Sequence, residues 1–309
     1  MNAWARPALW RVWVRELRAP FFGASVVPVL VGTAAGFSAS GEFRPGLFAL
    51  ALVGMVLLHA GGNVANDYFD HLSGNDPANR NVTPFSGGSR VIQEGLLSPR
   101  AVLLGALCFL GAGGAVGIAV AILTRSIFIL VLGVVGVLLG YFYTAPPVRL
   151  GYRGVGELIV GIAFGVLPVC GSFYLQAGCV EAWVLLPGLL VAGLIFLVLL
   201  ANEFPDEDAD RGAGKRTLVV LLGRRGAAVI YTVVLLSGYL VAALCMVFVP
   251  EVRVAATGYC ITLPLSVVAL RCVWSDLRSA PRQRRFSLVT ILLHLAAGLL
   301  LGAGFVVST

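Results

Sequence analysis

Long apolar runs, each ended by a short polar stretch, recur from one end of the chain to the other. At about 1.5 Å of rise per residue, a helix needs about 20 such residues to cross a bilayer core. Runs of that length fall at 21–39, 46–66, 101–123, 126–145, 155–176, 184–203, 226–249, 254–272 and 287–307. The pattern predicts an all-α polytopic membrane protein with nine transmembrane helices. The third and fourth runs almost fuse at Thr124–Ser126, which makes eight the competing count. The first 20 residues read differently. Trp10, Trp13 and Leu17 sit among four arginines, the pattern of an interfacial helix over 1–20. No small-residue cleavage site precedes the first apolar run, so no removable signal peptide is expected.

Composition agrees with this reading. Hydrophobic residues make up 59% of the chain and charged residues only 12%, and the mean hydropathy is +0.93. The 38 glycines suit helices that approach one another closely in lipid. The six cysteines show no paired spacing and read as apolar packing residues, not as a disulfide or metal framework. Charge then orients the chain. Taking the loops alternately, 19 Lys and Arg fall on one side, and Arg44, Arg125 and Arg253 on the other. The positive-inside rule places the N-terminus in the cytoplasm and the C-terminus across the membrane, which needs an odd number of spans.

Against this background two polar stretches stand out, GNVANDYFDHLSGND (62–76) and ANEFPDEDADRGAGKR (201–216). They hold eight of the 15 carboxylates in the chain. In each, an Asn precedes an Asp by four residues, and further Asp follow. On a helix, Asn63, Asp67 and Asp70 would share one face, as would Asn202, Asp206 and Asp210. Both sets begin inside the end of an apolar run, where a carboxylate driven to mid-membrane costs roughly 2.5–3.5 kcal/mol. Oxygen-rich clusters of this kind suit Mg²⁺, which shares its octahedral shell between carboxylates, water and substrate phosphates. Two facing Asp sets with nearby Arg and Lys would hold a diphosphate, and the adjacent apolar interior would accept a hydrocarbon tail.

Four segments, NDYFDHLSGND (66–76), GGSRVIQEGLLSP (87–99), YTAPPVRLGYRGVGE (143–157) and NEFPDEDADRGAGKRTLVVLLG (202–223), resemble in order the UbiA superfamily of intramembrane prenyltransferases. The first, second and fourth look most like its menaquinone branch. Members of that branch join a polyprenyl chain to 1,4-dihydroxy-2-naphthoate, releasing diphosphate and carbon dioxide. The resemblance implies one domain over 1–309, with helices around a central cavity facing the cytoplasm and active-site loops at 67–100 and 204–225. It implies a first Mg²⁺ site at Asn63, Asp67, Asp70 and Asp76, and a second at Asn202, Asp206 and Asp210. Asp67, Asp70, Asp206 and Asp210 would carry the catalysis. Lys215, the single lysine, suits a terminal phosphate, and Arg90, Tyr143, Arg149 and Arg153 are the other substrate-binding candidates. Glu203, Glu207 and Asp208 read as solvated or paired. His59 and His294 read as packed and hydrogen-bonded. One departure is visible: Phe204-Pro205 precedes Asp206 where the branch often has Arg, and Pro205 predicts a kink at the end of span six.

The implied partners are a polyprenyl diphosphate, an aromatic acceptor and the lipid bilayer, with no nucleic acid. The implied location is a bacterial inner membrane. A 4-hydroxybenzoate polyprenyltransferase or haem O synthase would keep the metal chemistry and change the acceptor. A CDP-alcohol phosphotransferase needs an Asp-Gly pair that Asp70-His71 does not supply. A transporter would place ionisable groups deep within its spans, and these spans are almost free of charge away from their ends.

Overall fold

The computed structural model describes residues 7–275 and 279–308; Arg6 and Arg278 of the charge count lie outside them. Among the described residues there is helix and loop with only isolated bridges between extended residues. A short helix, α1 (Leu9–Glu16), precedes α2 (Gly23–Ser40) and α3 (Pro45–Leu72). The single turn α4 (Asn75–Ala78) opens a long loop that ends at α5 (Pro99–Thr124) and α6 (Ile127–Phe142). Next come α7 (Gly156–Gly161) and α8 (Leu167–Ala177), joined by a π-helical turn at Ile162–Val166, and then α9 (Leu185–Glu203). The chain ends with α10 (Glu207–Gly212), α11 (Leu218–Phe248), α12 (Arg253–Cys260), α13 (Leu263–Val273) and α14 (Ala280–Val307).

Each expected apolar run is helical, but length and composition qualify seven helices as spans among the described residues, or eight with one bent pair. Two runs fall short for local reasons. Helix α6 has 16 residues, about 24 Å of rise against a core of about 30 Å. The run at 254–272 is two helices, bent by 56°, because Pro264 opens α13 and cannot continue the hydrogen-bond ladder of α12. The near-fusion at Thr124–Ser126 is resolved cleanly. Arg125 adopts a left-handed conformation, and the Ser126 hydroxyl accepts from Ile129 N–H to start α6. The kink expected at Pro205 is also present, since α9 stops at Glu203.

The largest apolar cluster joins α2, α8, α9, α11, α12 and α14, with Phe173, Leu194, Tyr231, Tyr259, Phe286 and Phe305 fully enclosed. Outward-facing side chains are large and apolar, among them Ile122, Ile127 and Phe248, each more than 70% exposed. A soluble protein of this size would not present such a belt, and lipid is its solvent. The chain is an integral membrane protein. Helix α1 does not simply float at the interface. Trp10 faces outward, while Trp13 and Leu17 pack with Val64, Val91 and Val102 against α3 and α5.

Glycine sets the closest helix crossing. A Cβ on Gly32 of α2 would stand 2.2 Å from the Val169 carbonyl oxygen of α8, and a backbone atom there has no rotamer with which to yield. Gly32→Val should therefore cost about 2 kcal/mol or more, lowering the unfolding temperature in detergent by several degrees. Gly111→Ala on α5, where the added Cβ meets nothing within 4 Å, should leave it unchanged.

Candidate active site

A cavity of about 220 Å³ opens where α3 and α9 end, walled by α2, α3, α6, α7 and α9. Helix α3 offers it one stripe of residues: Met55, His59, Asn63, Asn66 and Asp70. Their spacing of three or four places them one above another on a single face. Asp70, Asp76, Asp206, Asp210 and Lys215 surround the mouth, with Asn63, Tyr143 and Asn202 also in the wall. The two acidic stretches, 62–76 and 201–216, thus meet at one opening.

Their junction is a set of side-chain bonds. Asn75 Nδ2 donates to Asp210 Oδ1 at 2.7 Å, and Asn79 Nδ2 donates to Asp206 Oδ1 at 2.7 Å. Lys215 Nζ donates to Asp70 Oδ2 at 3.1 Å and lies 3.9 Å from Asp210 Oδ1. Asp70 also accepts from the Tyr152 hydroxyl at 2.7 Å and from Asn66 Nδ2 at 3.1 Å. The loop after α4 contributes main-chain donors. Gly87 N–H reaches Asp206 Oδ2 at 3.3 Å, and Ser89 N–H reaches Asp67 Oδ2 at 2.7 Å. Two amides two residues apart lie at most about 7 Å from each other. Asp67 and Asp206 are therefore held on one face, by one short peptide.

That peptide has an unusual backbone. Gly87, Gly88 and Arg90 all have φ near +70° to +80°, a region that side chains with a Cβ rarely enter. Gly88 is confined twice over, because a Cβ there would stand 2.4 Å from Asp76 Oδ2. The loop is also anchored to α1. The fully buried Glu16 accepts from the Ser89 hydroxyl, and Arg15 pairs with Glu94 through two bonds of 2.6 Å.

Other expected residues have different surroundings. Arg149 and Arg153 are exposed and outside the cavity wall. Arg149 stacks over the Tyr152 ring at 5.5 Å, and Arg153 donates to the carbonyls of Pro147 and Val148. Tyr152, between them in sequence, makes the contact with the acidic cluster instead. Arg90 is also absent from the wall; its guanidinium donates to the Asp76 carbonyl oxygen and holds the loop. Asn63 donates to the Leu17 carbonyl oxygen at 3.1 Å. Asn202 and Asp206 do not share a helical face, since the break after Glu203 hands Asp206 to the turn that opens α10.

Glu203 is the clearest correction among the carboxylates: it is 6% exposed, lines the cavity, and its Oε2 has no hydrogen-bond partner among the described residues. Glu207 is paired as expected, with Arg211 at 2.9 Å and Arg224 at 2.7 Å, and Asp208 is exposed. Asn75, Asn79, Tyr152, Ser89 and Glu16 were not singled out from sequence. The two Asn carried one signal, their place beside Gly74 and Pro77 in a turn directly after the first acidic stretch.

Comparison with known proteins bears on what this opening is for. Residues 25–305 match the model of the UbiA prenyltransferase family. The chain belongs to that family. A 1,4-dihydroxy-2-naphthoate octaprenyltransferase of Haemophilus influenzae is 30% identical, over 94% of this chain and 96% of its own length. A 2-carboxy-1,4-naphthoquinone phytyltransferase of Synechocystis is 27% identical, over 97% and 94%. Among solved structures, a UbiA homologue from Archaeoglobus fulgidus bound to DMAPP and Mg²⁺ shares the fold, with a TM-score of 0.70 at 18% identity, over 94% of this chain and 99% of that one.

The residues of this UbiA family member fit divalent cations. Asp67 Oδ1 and Asn202 Oδ1 are buried without a partner, which is costly unless something else satisfies them. Desolvation, with Asp67 and Asp70 nearby, pushes Asp76 up to about 8. Desolvation and the charge of Asp210 push Asp206 up to about 7, and burial also raises Asp210. Lys215, held well above its ordinary value by Asp70 and Asp210 despite its own burial, does not balance the cluster. Among the described residues no three His, Cys, Asp or Glu converge into an all-protein metal cage. Such open geometry suits Mg²⁺, which keeps part of its shell for water and phosphate.

Two outcomes follow. An acid whose folded pKa is raised holds its proton more tightly when folded, so stability falls as pH rises from about 4 towards the folded values. Metal-free protein in detergent should unfold at a lower temperature at pH 8.5 than at pH 6. Mg²⁺ should raise the unfolding temperature more at pH 8.5, because binding needs the carboxylates deprotonated. Gly88→Ala should reduce prenyl transfer by at least tenfold while Gly74→Ala, with nothing within 4 Å of the added Cβ, has the smaller effect; parallel activity assays compare them.

Proposed function

We propose that this chain transfers a polyprenyl group from polyprenyl diphosphate to 1,4-dihydroxy-2-naphthoate, as a Mg²⁺-dependent step of menaquinone biosynthesis. The observation that carries the reading is the meeting of both acidic stretches over the mouth of an apolar cavity. The relatives named for naphthoate acceptors, similar along nearly the whole chain, support the choice of acceptor.

Asp67, Asp70 and Asp76 on one side, with Asp206 and Asp210 on the other, would hold the metal, assisted by Asn63 and Asn202. A divalent cation held there would supply neutralisation of the charge on the departing diphosphate. The residues of the chain supply the rest. Lys215 offers a terminal phosphate a compact charge, already aimed by Asp70 and Asp210. Arg18 lines the cavity and donates to the Phe85 carbonyl oxygen at 3.3 Å, which sets its guanidinium at the mouth. Tyr152 and Asn66 fix the Asp70 carboxylate, and Asn75 and Asn79 fix the second set. Preorganised in this way, the groups need little rearrangement when the allylic C–O bond breaks.

Below the mouth, Leu58, Val160, Phe164, Ile195 and Val198 enclose the acceptor ring and the first part of the prenyl chain and exclude water from the allylic cation. The ring carbon that bears the carboxylate bonds to the allylic carbon as the C–O bond to diphosphate breaks, and loss of carbon dioxide from that carbon returns the electron pair that restores aromaticity. The positive-inside count supports a cytoplasmic mouth in the inner membrane, with the N-terminus on that side and 1–309 acting as one domain.

Mass spectrometry of lipid products, after supplying farnesyl or longer diphosphates with 1,4-dihydroxy-2-naphthoate and Mg²⁺, tests the reading. A prenylated, decarboxylated naphthoquinol is expected. Asp67→Ala and Asp206→Ala should each lower its formation by at least a hundredfold, whereas Arg44→Ala, at the far end of α3, should leave it unchanged. Near-normal transfer by Asp67→Ala would remove the metal assignment.

A further inference from the structure

Helix α3 carries a polar position deep on its cavity stripe, two turns before Asp67. His59 is 7% exposed and lines the cavity. The wall around it is largely apolar, with Met55, Leu58, Phe164, Ile195 and Val198, and Arg18 lines the same cavity. A buried imidazole among such groups needs hydrogen-bond partners for both ring nitrogens. Only one has a partner among the described residues. Nδ1 lies 2.6 Å from the Ser25 hydroxyl of α2, and among the described residues Nε2 makes no hydrogen bond while the ring borders the cavity.

The ring is also held in plane. Phe22 meets it edge-on at 5.3 Å, and Phe164 does so at 4.7 Å from the opposite element. Phe164 reaches that position from the π-helical turn at Ile162–Val166, a local insertion of the kind often found at functional sites. Three elements thus fix one imidazole so that a single nitrogen faces empty volume. Simple packing of α2 on α3 would need the Ser25 bond but not a free nitrogen aimed into a cavity.

The depth of this nitrogen indicates what it meets. His59 lies about 12 Å below Asp67 along the helix axis, with Asn63 between them. The diphosphate occupies the level of the carboxylates, so the reacting allylic carbon and the acceptor ring lie below it, towards His59. We infer that His59 Nε2 hydrogen-bonds a ring hydroxyl of the aromatic acceptor and so sets which ring carbon faces the allylic carbon. A phenolic hydroxyl both donates and accepts, so it satisfies Nε2 in either tautomer that Ser25 selects. Ser25 is the positioning residue, and His59 is the residue that touches the acceptor. This inference rests on the prenyl-transfer reading above.

The test uses the full-length protein in detergent or nanodiscs with Mg²⁺ and farnesyl diphosphate. The acceptors are 1,4-dihydroxy-2-naphthoate and its analogues 1-hydroxy-2-naphthoate and 4-hydroxy-2-naphthoate, each lacking one hydroxyl. His59→Leu should lower kcat/KM for the dihydroxy acceptor by about tenfold, the scale of one lost hydrogen bond. KM for farnesyl diphosphate and the Mg²⁺ requirement should not move, which also reports that the variant is folded. His59→Gln, whose amide both donates and accepts, should stay within about threefold of wild type, and Ser25→Ala should fall between the two. Removing the recognised hydroxyl from the acceptor should cost wild type about tenfold and His59→Leu almost nothing. Equal losses for wild type and His59→Leu with both analogues would overturn the inference while leaving prenyl transfer intact. So would an equal rise in KM for both substrates in His59→Leu. A wild-type enzyme that prenylates none of these acceptors would overturn the reading beneath it as well.

Discussion

Asp70, Asp76, Asp206 and Asp210 at the mouth of an apolar cavity, with Asp67 buried beside them outside its wall, repel one another, and burial removes the water that would screen them. Two like charges about 4 Å apart cost roughly 4 kcal/mol at the effective dielectric near a protein surface. One lysine does not offset five acids. The fold tolerates the arrangement because it provides a donor for most of the oxygens before any cation arrives: Asn75, Asn79, Tyr152, Asn66, Lys215 and the amides of Gly87 and Ser89. What is left over, the unpartnered oxygens of Asp67 and Asn202 and the raised pKa values of Asp76 and Asp206, is the residual demand for divalent charge. The rest of the molecule positions that demand.

Positioning falls to elements that carry no chemistry themselves. The GGSR loop must pass between the two acidic stretches with its amides turned to both, which is why glycines stand where φ is positive. Its far side is fixed to α1 by Glu16–Ser89 and Arg15–Glu94. An N-terminal helix with an outward tryptophan thereby becomes part of the active-site support. The break at Pro205 plays a comparable role. By ending α9 it lets Asp206 leave the helix axis and meet Asn79 and Gly87.

Most of the helical layout was legible in apolar run length, because a lipid-embedded backbone has little choice but to be helical. The span count was less so. Run length alone does not register Pro264, which splits one segment, or the early end of α6 at Phe142. The Asp pairs were legible because carboxylates at the end of an apolar run are costly and need a reason. Asn75, Asn79 and Tyr152 were not, since their partners lie 82 to 135 residues away and only the fold brings them together. Glu203 was misread for a related reason. Its neighbours in sequence belong to a polar loop, while its position in space is the last turn of α9 inside the cavity wall. His59 was read only as a packed, hydrogen-bonded histidine, and nothing in the sequence marks one nitrogen as free.

The central claim is that the two stretches jointly hold divalent ions over one diphosphate. Electron paramagnetic resonance of Mn²⁺ in place of Mg²⁺, with an unreactive prenyl thiodiphosphate bound, measures it directly. Joint binding gives two spin-coupled Mn²⁺ ions, reduced to one when either Asp67 or Asp206 is changed to Asn. Uncoupled ions, or a signal indifferent to substitutions in one of the two stretches, would contradict it.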